Sequence, residues 1–325
     1  MGVSQGTFVH GGTGVLRWES HTSSMRRILA VLVPLIAFAL TLHFYAPARL
    51  FALVMMGRAS VCPMERALDA PAELQRQIRI KDRILYASRK LETDAQGYEH
   101  WDTPKGRYWI PKGSHFVLPF NLAEQERDIY TAGPVRIHPG DTVLDCGANI
   151  GVYTRRALDQ GAALVVSIEP APENIECLRR NFAAEITAGK VIIYPKGVWD
   201  KDDFLTLHVD PHNSAADSFV IDRQGSHGEE KMPLTTIDKL TAELKLARVD
   251  FIKMDIEGAE VKALHGGRAT IAKFHPRMAL SAYHADNHPV EVPLAVKAAW
   301  SGYQMLCGPC AEANWRVRPD ILLFH

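Results

Sequence analysis

From residue 141 to the carboxyl terminus, short apolar runs alternate with longer amphipathic stretches, the pattern of strands joined by helices in a parallel sheet with right-handed crossovers. The runs predict strands over 142–144, 164–168, 191–194, 249–254, 277–282, 304–306 and 321–324. Helices are predicted over 152–160, 172–188, part of 234–247, 260–272 and 290–300. Between the third and fourth strands, 204–209 reads as an inserted antiparallel strand followed by a polar loop over 212–218. Upstream, 70–91 reads as a charged helix in partial apolar register, and the aromatic alternation of 101–120, broken by Pro and Gly, reads as a small hairpin. Asn121 then caps a helix, with Glu124 closing a capping box and Gly133 as its stop.

The amino-terminal part has a different pattern. Residues 28–46 form one continuous apolar run after Arg26 and Arg27, with His43 its only ionisable side chain other than Tyr45. At 1.5 Å per residue such a run spans roughly 28 Å, close to the thickness of a bilayer core. It is expected to be a single membrane anchor with the following domain on the cytoplasmic side. A cleaved signal ending near Ala46-Pro47-Ala48, or an interfacial helix, fits the same residues. Met25 is an alternative start. Arginines flank the run on both sides, so charge orients it weakly. The chain thus divides into 1–58, 59–120 and 121–325.

Composition narrows the function classes. Over 325 residues, Lys plus Arg and Asp plus Glu number 37 each, which gives no electrostatic case for nucleic acid. Five cysteines do not suggest a disulfide framework. Cys62, Cys146 and Cys177 read as isolated, and Cys307-Gly-Pro-Cys310 reads as a tight turn between the last two strands, with redox or metal roles as alternatives.

The sharpest chemical signal is Asp145-Cys-Gly-Ala-Asn-Ile-Gly151 at the end of the first strand, followed one βα unit later by Ile168-Glu-Pro170. Gly147 and Gly151 let the backbone turn tightly into a helix, where a ligand can approach closely. Asp145 and Glu169 both emerge at the carboxyl edge of the sheet, where Glu169 can accept hydrogen bonds from a ribose. A dinucleotide site would carry G-x-G-x-x-G at this turn. The acidic turn found instead suits a cationic cofactor and points to S-adenosylmethionine (SAM), with NAD and an oxidoreductase as the alternative.

These segments, with Thr236-Ile-Asp-Lys-Leu240, Leu280-Ser-Ala-Tyr-His284 and above all Asp255-Ile-Glu-Gly-Ala-Glu260, resemble the FkbM family of SAM-dependent methyltransferases from about Leu122 onward. The resemblance implies an α/β, Rossmann-like, seven-stranded class I methyltransferase sheet with helices on both faces. It also implies methylation of a hydroxyl on a sugar, glycolipid or other small-molecule acceptor. On that reading Asp145 and the Gly147–Gly151 backbone, Asn149 included, face the methionine part of SAM. Glu169 takes the ribose diol and Asn174 supports the adenosyl side. Trp199 stacks on adenine and Asp200 accepts its amino protons, although Trp199 as a core aromatic is an equal reading. Asp255, Glu257 and His284 are the candidate bases, at strand ends beside the crevice. Against this, Glu257 and Glu260 also suit the positive end of a helix, and His284 also reads as a structural histidine. No catalytic metal is expected, although Asp255 and Glu257 could hold Mg²⁺ weakly. A different class remains, a membrane-attached scaffold that binds SAM or a glycan without turnover, with room for a partner at 212–218.

Overall fold

The computed structural model describes residues 19–59, 61–209, 213, 215, 217–221 and 227–325. The chain divides into two units, one up to Ala52 and one from Leu53 to His325. In the first, α1 (Glu19–Phe44) contains the apolar stretch Met25–Phe44, mean hydropathy 2.1, long and apolar enough to cross a membrane, a test that a signal sequence also passes. Its helix stops at Phe44, and α2 (Ala46–Met55) begins with Pro47 in its first turn, where a missing N–H costs nothing. The expected apolar run 28–46 is therefore divided at Tyr45.

In the second unit, α3 (Met64–Ala87) buries Ala67, Ala70, Gln77 and Ile84, a single stripe at helical spacing. It starts and ends earlier than the expected 70–91. Ser88 turns extended and donates its hydroxyl to the Ile84 carbonyl at 2.6 Å, so Leu91 falls in a strand instead. That strand, β1 (Arg89–Thr93), pairs with β2 (Glu99–Thr103), and β2 with β3 (Gly106–Ile110), in an antiparallel sheet larger than the expected hairpin. Helix α4 (Val117–Glu126) begins four residues before Asn121, which is thus interior and not a cap. Pro119 in its first turn is tolerated because that N–H has no helical partner. The helix ends well before Gly133, which takes φ 54° in the turn between Ala132 and Val135. Gln77 donates to the Phe120 carbonyl at 3.0 Å and accepts from Arg127 at 2.7 Å, locking α3 on α4.

The remaining elements follow in βα order: β4 (Thr142–Cys146), α5 (Val152–Asp159), β5 (Leu164–Ile168), α6 (Pro172–Asn181), α7 (Ala183–Thr187), β6 (Val191–Tyr194), β7 (Gly197–Val198), β8 (Asp203–Val209), β9 (His227–Thr235), α8 (Ile237–Glu243), β10 (Phe251–Met254), α9 (Glu260–Gly266), α10 (Arg268–Phe274), β11 (Arg277–Ser281), α11 (His288–Ala299), β12 (Met305–Cys307), β13 (Cys310–Ala313), β14 (Arg316–Pro319) and β15 (Ile321–Phe324). Seven of these strands form the central sheet in the order β12-β15-β11-β10-β4-β5-β6, parallel except that β15 runs antiparallel to both neighbours. Both faces are covered. Leu144, Ile252, Met278 and Leu322 pack on one side and Val143, Phe251, Ala279 and Leu323 on the other, which is why the strands read as unbroken apolar runs. The chain passes from β4 outward to β5 and β6 and then returns to β10 on the other flank of β4. This reversal opens a crevice at the carboxyl ends of β4 and β10.

Several expected helices are interrupted. The 172–188 helix breaks at Phe182, whose side chain is fully buried, and the 260–272 helix breaks at Gly267. Leu234 belongs to β9, and α8 begins after Thr236, whose hydroxyl caps the Lys239 amide at 3.0 Å. The inserted strand is present as β8, antiparallel to β9. Of the polar loop 212–218, residues 212, 214 and 216 lie outside the described residues.

The cysteine reading needs correction. Cys62 and Cys310 form a disulfide across 248 residues, so Cys62 is not isolated and the C-x-x-C segment is more than a turn. Cys307 stays a free thiol with its sulfur 3.7 Å from that of Cys310. The same join includes the Val317 amide, which donates to the Arg58 carbonyl at 2.9 Å.

Candidate functional site

The turn after β4 is held open by glycine. Gly147 has φ 77°, and a Cβ there would lie 1.9 Å from the Asp255 carbonyl oxygen, so no side chain fits. The amides of Gly147 and Ala148 both donate to the Ile168 carbonyl, at 3.0 and 3.1 Å, tying the turn to the end of β5. There Glu169 accepts from the Asn149 amide at 2.8 Å, the Ala171 amide at 3.0 Å and the Asn174 side chain at 3.4 Å. Burial pushes its carboxyl up to about 7 in spite of these donors.

Two adjoining clefts open over this turn. The first, about 530 Å³ out to its mouth, has Glu169, Val198, Leu207 and Phe219 in its wall. The second, about 1160 Å³, has Phe116, Glu124, Tyr130, Lys253 and Tyr283. Gly147, Asn149, Asp255 and Glu257 border both, so the clefts meet at the ends of β4 and β10.

The floor of that junction is an acidic turn. Glu257 has φ 52°, an unusual backbone for a non-glycine residue and a kind of strain that clusters at functional sites. Behind it Glu260, fully buried, accepts from the amides of Ile256 and Gly258, each at 3.1 Å, and lies 2.8 Å from His284 Nδ1. That contact turns Nε2 toward Asp255 Oδ1 at 3.5 Å and Glu257 Oε1 at 3.3 Å. Tyr130 donates its hydroxyl to Asp255 Oδ2 at 3.0 Å. Burial alone would push the His284 imidazole down, but Glu260 and Glu257 outweigh it and hold it well above its ordinary value. Burial would likewise raise Asp255, and Lys253 with His284 hold its carboxyl below the usual value instead.

Of the residues singled out in the sequence, Gly147, Asn149, Glu169, Asp255 and Glu257 border the clefts. His284 lies immediately behind the last two. Gly151 and Asn174 act one layer back: Gly151 makes room for Phe182, against which a Cβ would sit at 2.1 Å, and Asn174 bonds Glu169. Three expectations are corrected by placement. Asp145 is fully buried beneath the turn, accepting from Thr154 at 2.7 Å with Lys253 Nζ at 3.3 Å, so its charge is balanced inside the protein and does not face the cleft. Trp199 and Asp200 lie outside both cleft linings, with Asp200 paired to Lys262 at 2.8 Å and that ammonium 5.9 Å from the Trp199 ring centroid. Val198, the neighbour of Trp199, supplies the apolar wall.

The sequence reading missed Lys253, Tyr130 and Glu124. Lys253 had a signal, a lone cation inside an otherwise apolar strand, which must find a partner when buried; its ammonium also donates to the Gly147 carbonyl at 2.8 Å. Glu124, half-buried in the second cleft, is pushed up to about 8 by burial and by the nearby Asp255. Tyr130 comes to the site only through the fold.

The chain is similar to known methyltransferases. Residues 145–296 match the family described as the methyltransferase FkbM domain. The chain is 26% identical over 192 residues to the 31-O-demethyl-FK506 methyltransferase FkbM of Streptomyces tacrolimicus, a match that spans 48% of this chain and 74% of that protein. It is 26% identical over 152 residues to the 2-O-methyltransferase NoeI of Sinorhizobium fredii, spanning 42% of this chain and 60% of that protein. Among solved structures, the methyltransferase FkbM of Methylobacillus flagellatus KT superposes with a TM-score of 0.46 at 20% identity, over 80% of this chain and 62% of that one. Over residues 145–296, just under half of its length, the chain is thus similar to the methyltransferase FkbM domain.

Proposed function

We propose that the protein is a SAM-dependent O-methyltransferase acting on a hydroxyl of a sugar, glycolipid or other small-molecule acceptor. The observation that carries the reading is the meeting of two clefts at Asp255 and Glu257. The first cleft fits an adenosyl cofactor: Glu169 is a carboxylate set for a ribose diol, Val198, Leu207 and Phe219 are apolar walls for a flat base, and Gly147 and Asn149 carry the path to the junction. Bound there, SAM supplies a methyl group on a sulfonium, already a good electrophile. The second cleft, flanked by Phe116, Tyr130 and Tyr283, receives the acceptor.

The protein's own part is alignment and proton removal. Holding acceptor and methyl donor in line contributes on the order of 7–11 kcal/mol. The Asp255 and Glu257 carboxylates face the acceptor side and take its hydroxyl proton. His284, kept cationic by Glu260, orients the pair. The similarity to a methyltransferase domain favours this reading over the oxidoreductase alternative, and α1 is read as an anchor that keeps the domain on the cytoplasmic side, where SAM is made.

The test is direct. Full-length protein in detergent, incubated with radiolabelled SAM and a panel of hydroxylated acceptors, should release S-adenosylhomocysteine and label the acceptor. Turnover of that kind excludes a purely binding scaffold. Calorimetric binding of NAD in preference to SAM would overturn the reading.

A further inference from the structure

We propose that Asp255, Glu257 and His284 form a divalent-cation site at the junction of the two clefts. One ligand atom from each lies within 4.8 Å of the others. His284 Nε2 is 3.5 Å from Asp255 Oδ1 and 3.3 Å from Glu257 Oε1. Around a cation with ligands at about 2.1 Å, neighbouring ligand atoms stand about 3.0 Å apart in an octahedron and about 3.4 Å apart in a tetrahedron. The spacing is that of a coordination face before small adjustment.

The imidazole gives an independent sign of a ligand. Its side chain is 2% exposed, yet among the described residues Nε2 has no hydrogen-bond partner, and neither does Asp255 Oδ1. Facing two carboxylates at ion-pair distance without a hydrogen bond to either, the buried ring nitrogen stands where a cation would be shared by all three groups. The surrounding contacts match an outer coordination shell. Glu260 accepts a hydrogen bond from Nδ1–H at 2.8 Å, so that loss of the Nε2 proton leaves that lone pair for a metal, the carboxylate–histidine–metal arrangement. Tyr130 occupies Asp255 Oδ2 and so leaves Oδ1 directed at the same point.

The donor set of two carboxylate oxygens and one imidazole nitrogen selects a first-row divalent ion, Mn²⁺ above Mg²⁺, because imidazole suits transition metals and magnesium prefers oxygen alone. On binding, Nε2 gives its proton to solvent and the cation takes its place between the carboxylates. The remaining coordination positions point into the clefts that Asp255 and Glu257 border. An acceptor hydroxyl placed there would be acidified before methyl transfer. That role rests on the methyl-transfer reading above, whereas the binding site itself does not.

Metal-stripped full-length protein in detergent is titrated with Mn²⁺ alone, with neither SAM nor acceptor, and free Mn²⁺ is followed by electron paramagnetic resonance. One Mn²⁺ per chain is expected, with nitrogen coupling in the pulsed spectrum. Glu257→Gln and Asp255→Asn should weaken it at least tenfold. His284→Gln should abolish the nitrogen coupling, with near-ultraviolet dichroism showing each variant folded. The surface control Glu176→Gln should bind like wild type. Absence of stoichiometric uptake, or uptake unchanged in Glu257→Gln, overturns the site. Bound Mn²⁺ without methyl transfer to any acceptor leaves the site standing and defeats the methyl-transfer reading; methyl transfer that survives chelation, with no Mn²⁺ bound, does the reverse.

Discussion

The Glu260 carboxylate joins His284 to the acidic turn: one oxygen lies 2.8 Å from Nδ1 and accepts the Ile256 amide, and the other accepts the Gly258 amide, each amide at 3.1 Å. A single buried side chain therefore fixes both the loop that carries Glu257 and the ring that faces it. Glu260→Ala would leave two amides and the buried His284 Nδ1 without their carboxylate, and about 3–5 kcal/mol of stability should be lost. Urea denaturation checks this; a loss below about 1 kcal/mol would show that the turn holds itself.

Glu169 ties cofactor affinity to pH. Its folded-state carboxyl is raised to about 7, so the stability it contributes is complete below its ordinary value near 4.5 and is lost as pH rises through about 7. A ribose diol prefers the ionised form, so SAM affinity should rise between about pH 6 and 8 while stability falls slightly. Glu169→Gln should flatten both curves and weaken SAM by about tenfold or more. A variant that retains the wild-type pH dependence of SAM binding would assign that dependence to another group.

At the junction, Asp255→Asn and Glu257→Gln should lower kcat by roughly 10²–10⁴-fold with SAM affinity near normal, because proton removal acts in the transition state. His284→Asn should follow the same pattern through loss of orientation. Groups that act as a unit are not additive, so the Asp255→Asn/His284→Asn double variant should be no worse than the poorer single one. Near-normal turnover in all of them would leave acceptor alignment as the sole catalytic device.

Two glycines separate backbone conformation from close approach. Gly147 and Gly189 share a left-handed φ, 77° and 71°, but a Cβ at Gly147 meets the Asp255 carbonyl at 1.9 Å while one at Gly189 meets nothing within 4 Å. Gly189→Ala should cost about 1–2 kcal/mol. Gly147→Ala should cost more than about 3 kcal/mol and displace Asp255. Equal melting shifts for the two would refute the contact.

The apolar helix predicts behaviour in cells. Full-length protein should sediment with membranes and resist extraction by high salt and carbonate. A soluble full-length chain would remove the anchor, and a soluble chain shortened by about 48 residues would identify a cleaved signal.

Most of the central sheet was legible because both of its faces are buried: a strand such as 142–146 admits few polar residues, and its apolar run has no competing helical register. Gly147 and Glu169 were legible for a related reason, since a tight turn and a carboxylate at adjacent strand ends leave local marks. Trp199 misled because it follows directly on β7: Val198, the last residue of that strand, borders the cleft, and Trp199 just beyond it lies outside the lining. Asp145 misled because its partner, Lys253, is 108 residues distant and meets it only when β4 and β10 pair. Tyr130 is invisible for the same cause, its contact with Asp255 spanning 125 positions.

The Cys62–Cys310 bond closes nearly the entire second unit into a covalent ring. On the chain-entropy model, a loop of that length limits the unfolded ensemble by about 5 kcal/mol. Such bonds persist in oxidising compartments and are kept reduced in the cytosol. The two sulfurs therefore act as a recorder of topology. A domain held on the cytoplasmic face would keep the two thiols apart, whereas one that has crossed the bilayer would carry the ring, with the free Cys307 thiol 3.7 Å from Cys310.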